Sequence, residues 1–320
     1  PGGETAALLQ LTNFPVVSPS LNPAGDRILF YQKNGGDLKS VDFRGQDARQ
    51  ISNLTVVGML EAEWSPSRDR AVVRYLDQDT IKSFLHVGTS SVTVLPSDIR
   101  SVAFSPNGKE LAYLSPQGNS HSLIVTDAAG RNPRTILNTP LRDARLSWPS
   151  PDRIILETAP SAYAEGYAFA VSRSTGSQSK MVGPLFGLTA NWSKYSSSAF
   201  LSHAATRGGN LAVSLYGINS DALKNMPPTL ADKCAWTGNA ELYCAVPRII
   251  PSRVQWPDDY LRGELNTSDR VVTIDVGREE VREILNQGDF DISNLIVTEN
   301  KERLFFVNRR DGTLWTYKIR

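Results

Sequence analysis

The sequence predicts an all-β protein, a seven-bladed β-propeller built from four-stranded antiparallel blades. Three observations predict it. A strand–turn–strand unit is repeated, its spacing is regular, and an N-terminal segment resembles the fourth strand that the last repeat lacks. The clearest copy of the unit spans residues 104–114. Pro106 fixes its own φ, Asn107-Gly108 adopts tight-turn conformations readily, and residues 111–114 form a short apolar run typical of a buried strand.

The unit recurs along the chain with a nearly constant spacing. The large residue before each turn is Leu21, Trp64, Phe104, Trp148, Trp192, Trp236 or Val297. The successive spacings are 43, 40, 44, 44, 44 and 61 residues. A period of roughly 40–45 residues with several short strands per repeat is typical of a propeller blade. Seven copies therefore predict seven blades, and the long last spacing predicts an insertion in the sixth.

The two ends of the chain are predicted to share the last blade. The seventh repeat reaches the C-terminal Arg320 with only three strand-like segments. Residues 7–13 resemble the fourth strands of other repeats, such as residues 134–138. We therefore predict that residues 7–13 complete blade seven and close the ring, which hides strand edges that would otherwise pair with other chains. Residues 1–320 are then expected to form a single propeller domain.

Composition excludes several classes of function. The 320 residues, 40 % of them hydrophobic, suffice for a large core. The 34 basic and 33 acidic residues nearly balance, so we expect no nucleic-acid binding. No apolar stretch is long enough to span a bilayer. The chain starts at Pro1 rather than Met, so we interpret it as a mature or shortened form from which an N-terminal anchor or export signal can be missing.

Two cysteines flank the hairpin of the sixth repeat. Pairing Trp236 with Leu242 places Cys234 opposite Cys244, at a separation that a cross-strand disulfide can bridge. The alternative is a pair of buried thiols that pack as small apolar residues. A disulfide would indicate an oxidising, extracytoplasmic compartment.

The segment 104–114 resembles the Ser-Pro-Asp-Gly-Lys blade motif of TolB-like propellers, a group of WD-repeat-like β-propellers whose motif also occurs in prolyl oligopeptidases. Asn107 stands where that family prefers Asp, and the later repeats lose the Pro-Gly-Lys core. The resemblance implies a bacterial periplasmic or cell-surface protein that binds proteins or peptides. Some related propellers are lyases or carry a hydrolase domain, which leaves an enzymatic function open.

Catalytic motifs are absent from the sequence. The three histidines, His86, His121 and His203, fall in three different blades, and no His-Glu-x-x-His, Cys-x-x-Cys or Gly-x-Ser-x-Gly pattern occurs. We therefore predict no catalytic residue, no metal and no cofactor. The acidic pairs 258–259 and 289–291 are interpreted as solvated or turn-forming residues.

The insertion at residues 247–266 is the strongest candidate for a functional site. Long loops in compact folds are usually functional, and Trp, Tyr and Arg contribute most of the binding energy at interfaces. In a propeller this loop emerges on the same face as the blade-to-blade connections, where other loops add aromatic and basic residues. The candidate binding residues are Arg253, Trp256, Asp258, Asp259, Tyr260, Arg262, Tyr163, Tyr167, Arg207, Arg309 and Arg310. The alternative is a loop that caps its blade, with Trp256 and Tyr260 packed onto the propeller.

The sequence therefore favours a non-catalytic, extracytoplasmic propeller that binds a protein or peptide through this face. An anionic glycan is a further class of partner that the basic residues would suit, and we expect a monomer. The alternative function is that of a glycan-active lyase or hydrolase with acidic residues at the central channel.

Overall fold

The structure is a computed structural model that describes residues 7–217 and 226–320. Its strands form seven antiparallel sheets arranged as the blades of a propeller, which confirms the predicted fold class. The first three blades contain β2 (Val16–Leu21), β3 (Arg27–Gln32), β4 (Leu38–Asp42), β5 (Arg49–Ser52), β6 (Met59–Trp64), β7 (Arg70–Asp77), β8 (Thr80–Val87), β9 (Ser91–Val94), β10 (Val102–Phe104), β11 (Glu110–Gln117), β12 (Ser120–Asp127) and β13 (Arg134–Thr139).

The remaining blades follow in chain order. Blades four and five contain β14 (Arg145–Ser150), β15 (Arg153–Glu157), β16 (Glu165–Ser172), β17 (Gln178–Phe186), β18 (Thr189–Trp192), β19 (Ala199–Ala204) and β20 (Leu211–Tyr216). Blades six and seven contain β21 (Cys234–Trp236), β22 (Glu241–Pro247), β23 (Asp269–Asp275), β24 (Glu280–Leu285), β25 (Ile292–Val297), β26 (Arg303–Asn308) and β27 (Leu314–Lys318). The segment after β20 includes residues 218–225, which lie outside the described residues.

The N-terminal strand β1 (Leu8–Gln10) closes the ring as predicted. It pairs antiparallel with β27 at the outer edge of blade seven, with Leu8 opposite Tyr317 and Gln10 opposite Trp315. The first and last strands of the chain therefore share one sheet, and the chain's own ends hold the ring together.

The core lies in the seven junctions between neighbouring blades. Each junction contains its own cluster of buried apolar side chains, because adjacent sheets pack face to face. Between blades one and two, for example, Leu29 and Tyr31 pack against Val73 and Phe84. An eighth cluster lies beneath the predicted insertion.

Strand direction gives the propeller two distinct faces. We call the upper face the one that carries the loops between second and third strands together with the blade-to-blade connections. The lower face carries the Ser-Pro turns between first and second strands. None of the helices among residues 7–217 and 226–320 has the length and hydrophobicity needed to cross a membrane.

The hairpin of blade six has the predicted register. Trp236 lies opposite Leu242, and Cys234 lies opposite Cys244. The two sulfur atoms are 2.05 Å apart and form a disulfide bond.

Candidate functional site

The insertion occupies residues 248–268 on the upper face, between β22 and β23, and contains one short helix, α1 (Asp258–Leu261). Trp256 and Tyr260 are only 1 % and 6 % exposed, and both pack in a buried cluster with Leu211 and Leu230. Their rings stack with centroids 6.2 Å apart. Burial of these two large rings stabilises the fold, so neither ring is available to contact a partner in this structure. Their burial agrees with the alternative interpretation, in which the insertion packs onto the propeller.

A buried charged network lies beneath the insertion and was not predicted. The amine of Lys233, a residue 1 % exposed, donates hydrogen bonds to Asp269 Oδ2 at 2.6 Å and Asp291 Oδ1 at 2.7 Å. A third bond runs from the same nitrogen to Thr267 Oγ1 at 2.7 Å. The amine also lies 4.7 Å from the centroid of the Tyr260 ring. Burial of these charges is tolerated because each is paired and hydrogen-bonded.

The two carboxylates of the network respond differently to burial. Desolvation raises the pKa of Asp269, despite the opposing influence of Lys233. Burial also opposes ionisation of Asp291, but its contacts with Lys233 and the Tyr260 hydroxyl, which donates to Asp291 Oδ1 at 2.8 Å, hold its pKa below the usual value. Asp291, which the sequence predicted to be a turn or cap residue, is fully buried within this network.

Arg309 and Arg310, both predicted to bind a partner, hold the insertion against blade seven. The Arg309 guanidinium lies 4.1 Å from the centroid of the Tyr260 ring and donates to the Tyr260 carbonyl oxygen at 2.5 Å. Arg310 forms a bidentate pair with Asp289, at 2.6 and 2.9 Å, and donates to the Thr267 carbonyl oxygen at 2.9 Å. Their donors are largely used inside the protein.

The adjacent acids of the insertion also hold backbone groups. Asp258 Oδ2 accepts a hydrogen bond from the Ala162 amide at 2.6 Å, which joins α1 to the upper loop of blade four. Asp259 Oδ2 accepts one from the Gln255 amide at 2.8 Å, and Asp259 Oδ1 pairs with Arg262 at 2.7 Å. These carboxylates are therefore not the freely solvated side chains that the sequence suggested.

The exposed part of the site lies beside α1, in an area we call the Tyr163 patch: Tyr163, Arg207, Leu261 and Arg262. Tyr163 and Leu261 are 48 % and 46 % exposed, and both arginines are exposed. Tyr163 follows Ala162, which contacts Asp258 of α1, and its ring packs on Gly208, where an added Cβ would come within 2.8 Å of the ring. The patch therefore joins loops of blades four, five and six into one surface.

Two other predicted binding residues, Tyr167 and Arg253, are not connected to this patch by their contacts. The Tyr167 hydroxyl donates to Glu165 at 2.7 Å, and the side chain is partly buried in blade four. Arg253 is exposed on the insertion and forms no ion pair among residues 7–217 and 226–320.

The upper mouth of the channel carries a second group of charges. Arg145, on the innermost strand of blade four, pairs at 2.7 Å with Asp232 in the connection between blades five and six. This connection packs on the innermost strands of blades five and seven, so the ion pair spans the channel mouth.

Two glutamates that face the channel have strongly perturbed acidities, and one of them, Glu157, lies near this mouth. Glu157 is 3 % exposed, and burial raises its pKa to about 8 even though Arg145 lies 3.9 Å away. Glu63 lies farther down the channel, on the innermost strand of blade two and two residues before its lower Ser-Pro turn. Desolvation first, and the charge of Glu61 second, raise the pKa of Glu63 to about 7. Glu61 and Glu63, two acids on the short innermost strand of blade two, were the signal in the sequence from which Glu63 could have been identified.

The histidines do not converge. His86 and His121 are buried in blades two and three, and His203 is half-buried in blade five. Among residues 7–217 and 226–320, no group of three or more His, Cys, Asp or Glu side chains could hold a metal ion.

Comparison with solved structures identifies the class of protein as a β-propeller. The β-propeller domain of the Trilobed protease from Pyrococcus furiosus matches with a TM-score of 0.63 and 12 % identity, over 95 % of this chain and 93 % of that one. Oligogalacturonate lyase from Vibrio parahaemolyticus matches with a TM-score of 0.65 and 10 % identity, over 98 % and 93 %. The tricorn protease matches with a TM-score of 0.61 and 10 % identity over 100 % of this chain, which spans 34 % of that protein.

At these identities the likeness shows the fold alone, and it confirms the predicted propeller class. TolB from Acinetobacter baumannii is also similar, at a TM-score of 0.47 and 12 % identity over 99 % of this chain and 64 % of that one. No protein-family model matches the sequence, and no curated protein sequence does either.

Proposed function

We propose that this protein is a non-catalytic, extracytoplasmic propeller that binds a protein or peptide through its upper face. The observation that carries the proposal is the Tyr163 patch, in which two exposed apolar side chains and two arginines are held on a rigid base. Exposed aromatic and basic side chains of this kind contribute most of the energy at protein interfaces. The buried network around Lys233 supports the proposal because a preorganised surface loses little conformational entropy on binding.

The disulfide supports the extracytoplasmic part of the proposal. Disulfides persist in oxidising compartments and are rare in the reducing cytosol. Cys234 and Cys244 lie in blade six, directly below the insertion that forms part of the patch. The bond therefore stabilises the blade from which the proposed binding surface projects.

The proposal is tested by selecting peptides from a random-sequence library on the wild-type protein and measuring their affinities by isothermal titration calorimetry. Tyr163→Ala is expected to weaken binding at least about tenfold, since an exposed aromatic side chain at an interface centre contributes on this scale. Tyr195→Ala is the matched control, because Tyr195 is similarly exposed, at 44 %, but lies on the lower face. Equal affinities for both variants and the wild type would place the binding surface elsewhere.

A second candidate function is favoured by the channel glutamates. Side chains with pKa values near 7 and 8 are suited to general acid–base catalysis at neutral pH. Arg145 beside Glu157 could neutralise an acidic sugar, so the second candidate is a glycan-active lyase or hydrolase at the upper channel mouth. A panel of neutral and acidic polysaccharides tests it: activity that Glu157→Gln abolishes would favour catalysis over the binding proposal.

A further inference from the structure

The lower rims of several blade junctions are closed by the same contact. The first residue of a blade's second strand contacts the residue that follows the third strand of the next blade. The pairs are Glu110 with Arg173, Arg70 with Ala128, and Arg303 with Phe43. The long charged side chain of each pair covers the lower end of the apolar junction.

The junction between blades one and two departs from this pattern. The residue after the third strand of blade two is Gly88, and a Cβ added there would meet no atom within 4 Å. The opposing Arg27 instead bonds within its own blade, to Asp47 Oδ2 at 2.9 Å and Ser40 Oγ at 3.1 Å. Among the described residues, no ion pair joins the lower rims of these two blades. A cleft of about 370 Å³ remains open here, which we call the lower cleft.

The interior of the lower cleft is apolar and its rim is basic. Side chains of blades one and two form the interior, and most of them are buried: Leu29, Tyr31, Leu38, Ile51 and Trp64. Four arginines and one aspartate lie at the edge: Arg27, Arg49, Arg68, Arg70 and Asp69. Asp47, Asp69 and Glu299 form ion pairs with these arginines and offset most of this charge, and the remaining excess is positive. The cleft therefore suits an apolar group that carries a negative charge.

One buried polar atom in the cleft has no partner within hydrogen-bonding geometry. His86 lines the cleft and is 2 % exposed, and its Nδ1 atom lies 2.8 Å from the Tyr31 hydroxyl. Within residues 7–217 and 226–320 the buried Tyr31 hydroxyl has no other hydrogen-bond partner, so it donates to Nδ1 and leaves the hydrogen of the neutral imidazole on Nε2. That Nε2 atom is buried, and among the described residues none meets hydrogen-bonding geometry with it, although the Thr89 carbonyl lies near the ring. The Thr89 carbonyl is close enough to favour the charged ring, but burial outweighs it and lowers the His86 pKa.

We propose that the lower cleft binds a small amphipathic carboxylate. Its aromatic or branched apolar body packs between Leu29, Leu38 and Trp64, and its carboxylate accepts a hydrogen bond from His86 Nε2–H beside the arginine rim. A buried donor without an acceptor is energetically costly, and a carboxylate oxygen satisfies it with a charge-assisted bond. This site lies on the lower face and is independent of the Tyr163 patch. The ligand can be a free carboxylic acid or the C-terminal residue of a peptide, which share this chemistry.

Three probes test the chemistry and separate the two sources. Calorimetric titration or ligand-observed NMR is carried out with 3-phenylpropanoate, N-acetylphenylalanine and N-acetylphenylalanine amide. We expect both acids to bind and the neutral amide to bind at least about tenfold more weakly, because it lacks the charge. Tighter binding of N-acetylphenylalanine identifies a peptide C-terminus, and tighter binding of 3-phenylpropanoate a free acid. Failure of both acids to bind at about 10 mM, or equal binding of the amide, would overturn the proposal.

Paired variants locate the site. His86→Phe and Tyr31→Phe both remove the bond between these two rings, but only His86→Phe removes Nε2. We therefore expect His86→Phe to lose acid binding and Tyr31→Phe to keep it. Arg49→Glu, at an exposed rim position, should weaken binding about tenfold, whereas Arg44→Glu, exposed outside the cleft, should leave it unchanged. Because Arg49 is exposed, Arg49→Glu leaves core packing intact. If this variant binds the acids as well as the wild type does, the assignment is contradicted even if His86→Phe fails to fold.

Discussion

Replacing Lys233 with Met is expected to destabilise the protein by about 3–5 kcal/mol, the range for breaking a buried ion pair by removing one partner. Methionine retains most of the apolar stem but removes three hydrogen bonds of 2.6–2.7 Å to Asp269, Asp291 and Thr267. After the change, Asp291 keeps Arg309 at 3.6 Å, whereas Asp269 loses its cation while remaining buried. The uncompensated charge at Asp269 accounts for most of the expected loss.

The free energy of unfolding at pH 7 is measured by urea denaturation followed by tryptophan fluorescence and circular dichroism, with coincident transitions as the test of two-state behaviour. Lys33→Met, at an exposed position, serves as the control and should change stability by no more than about 0.5 kcal/mol. Native-state hydrogen exchange should show faster exchange of the α1 amides in Lys233→Met, because Tyr260 loses its contact with the amine. A loss below about 1 kcal/mol would show that the network does not hold the insertion, and our account of a preorganised surface would then be wrong.

Two further predictions concern other buried groups. The folded-state pKa of Glu157, about 8, lies well above the usual value for a glutamate, so the folded state binds the proton more tightly than the unfolded state does. The stability that this proton provides is lost as pH rises from about 5 to 8. Urea titrations across this range should show stability falling, and Glu157→Gln should flatten the slope, whereas an unchanged slope would contradict the assignment. Replacing Cys234 and Cys244 together with Ala should cost about 2–3 kcal/mol, since the bond closes a loop with a sequence separation of 10 residues. Mass spectrometry of the unreduced wild type provides the check on the bond, and two free thiols would refute it.

The sequence alone determined the architecture because its signals are local and repeated. Turn residues such as Asn107-Gly108 and the apolar strands beside them recur with one period, so the blade count could be read without any tertiary contact. Closure by β1 followed from the same repeat, since the last blade lacked one strand. The register of Cys234 against Cys244 followed from a single hairpin.

The tertiary structure decided what the upper face and the lower cleft contain. Lys233, Asp269 and Asp291 come from separate segments, and no local pattern indicates that they meet beneath the insertion. Sequence composition could not distinguish an exposed Trp256 from a buried one, because the same apolar ring suits an interface or a core. The lower cleft likewise depends on Gly88, which has no side chain to contact the neighbouring blade. Repetition specifies the blades, but the contacts between them depend on side chains that the repeat does not fix.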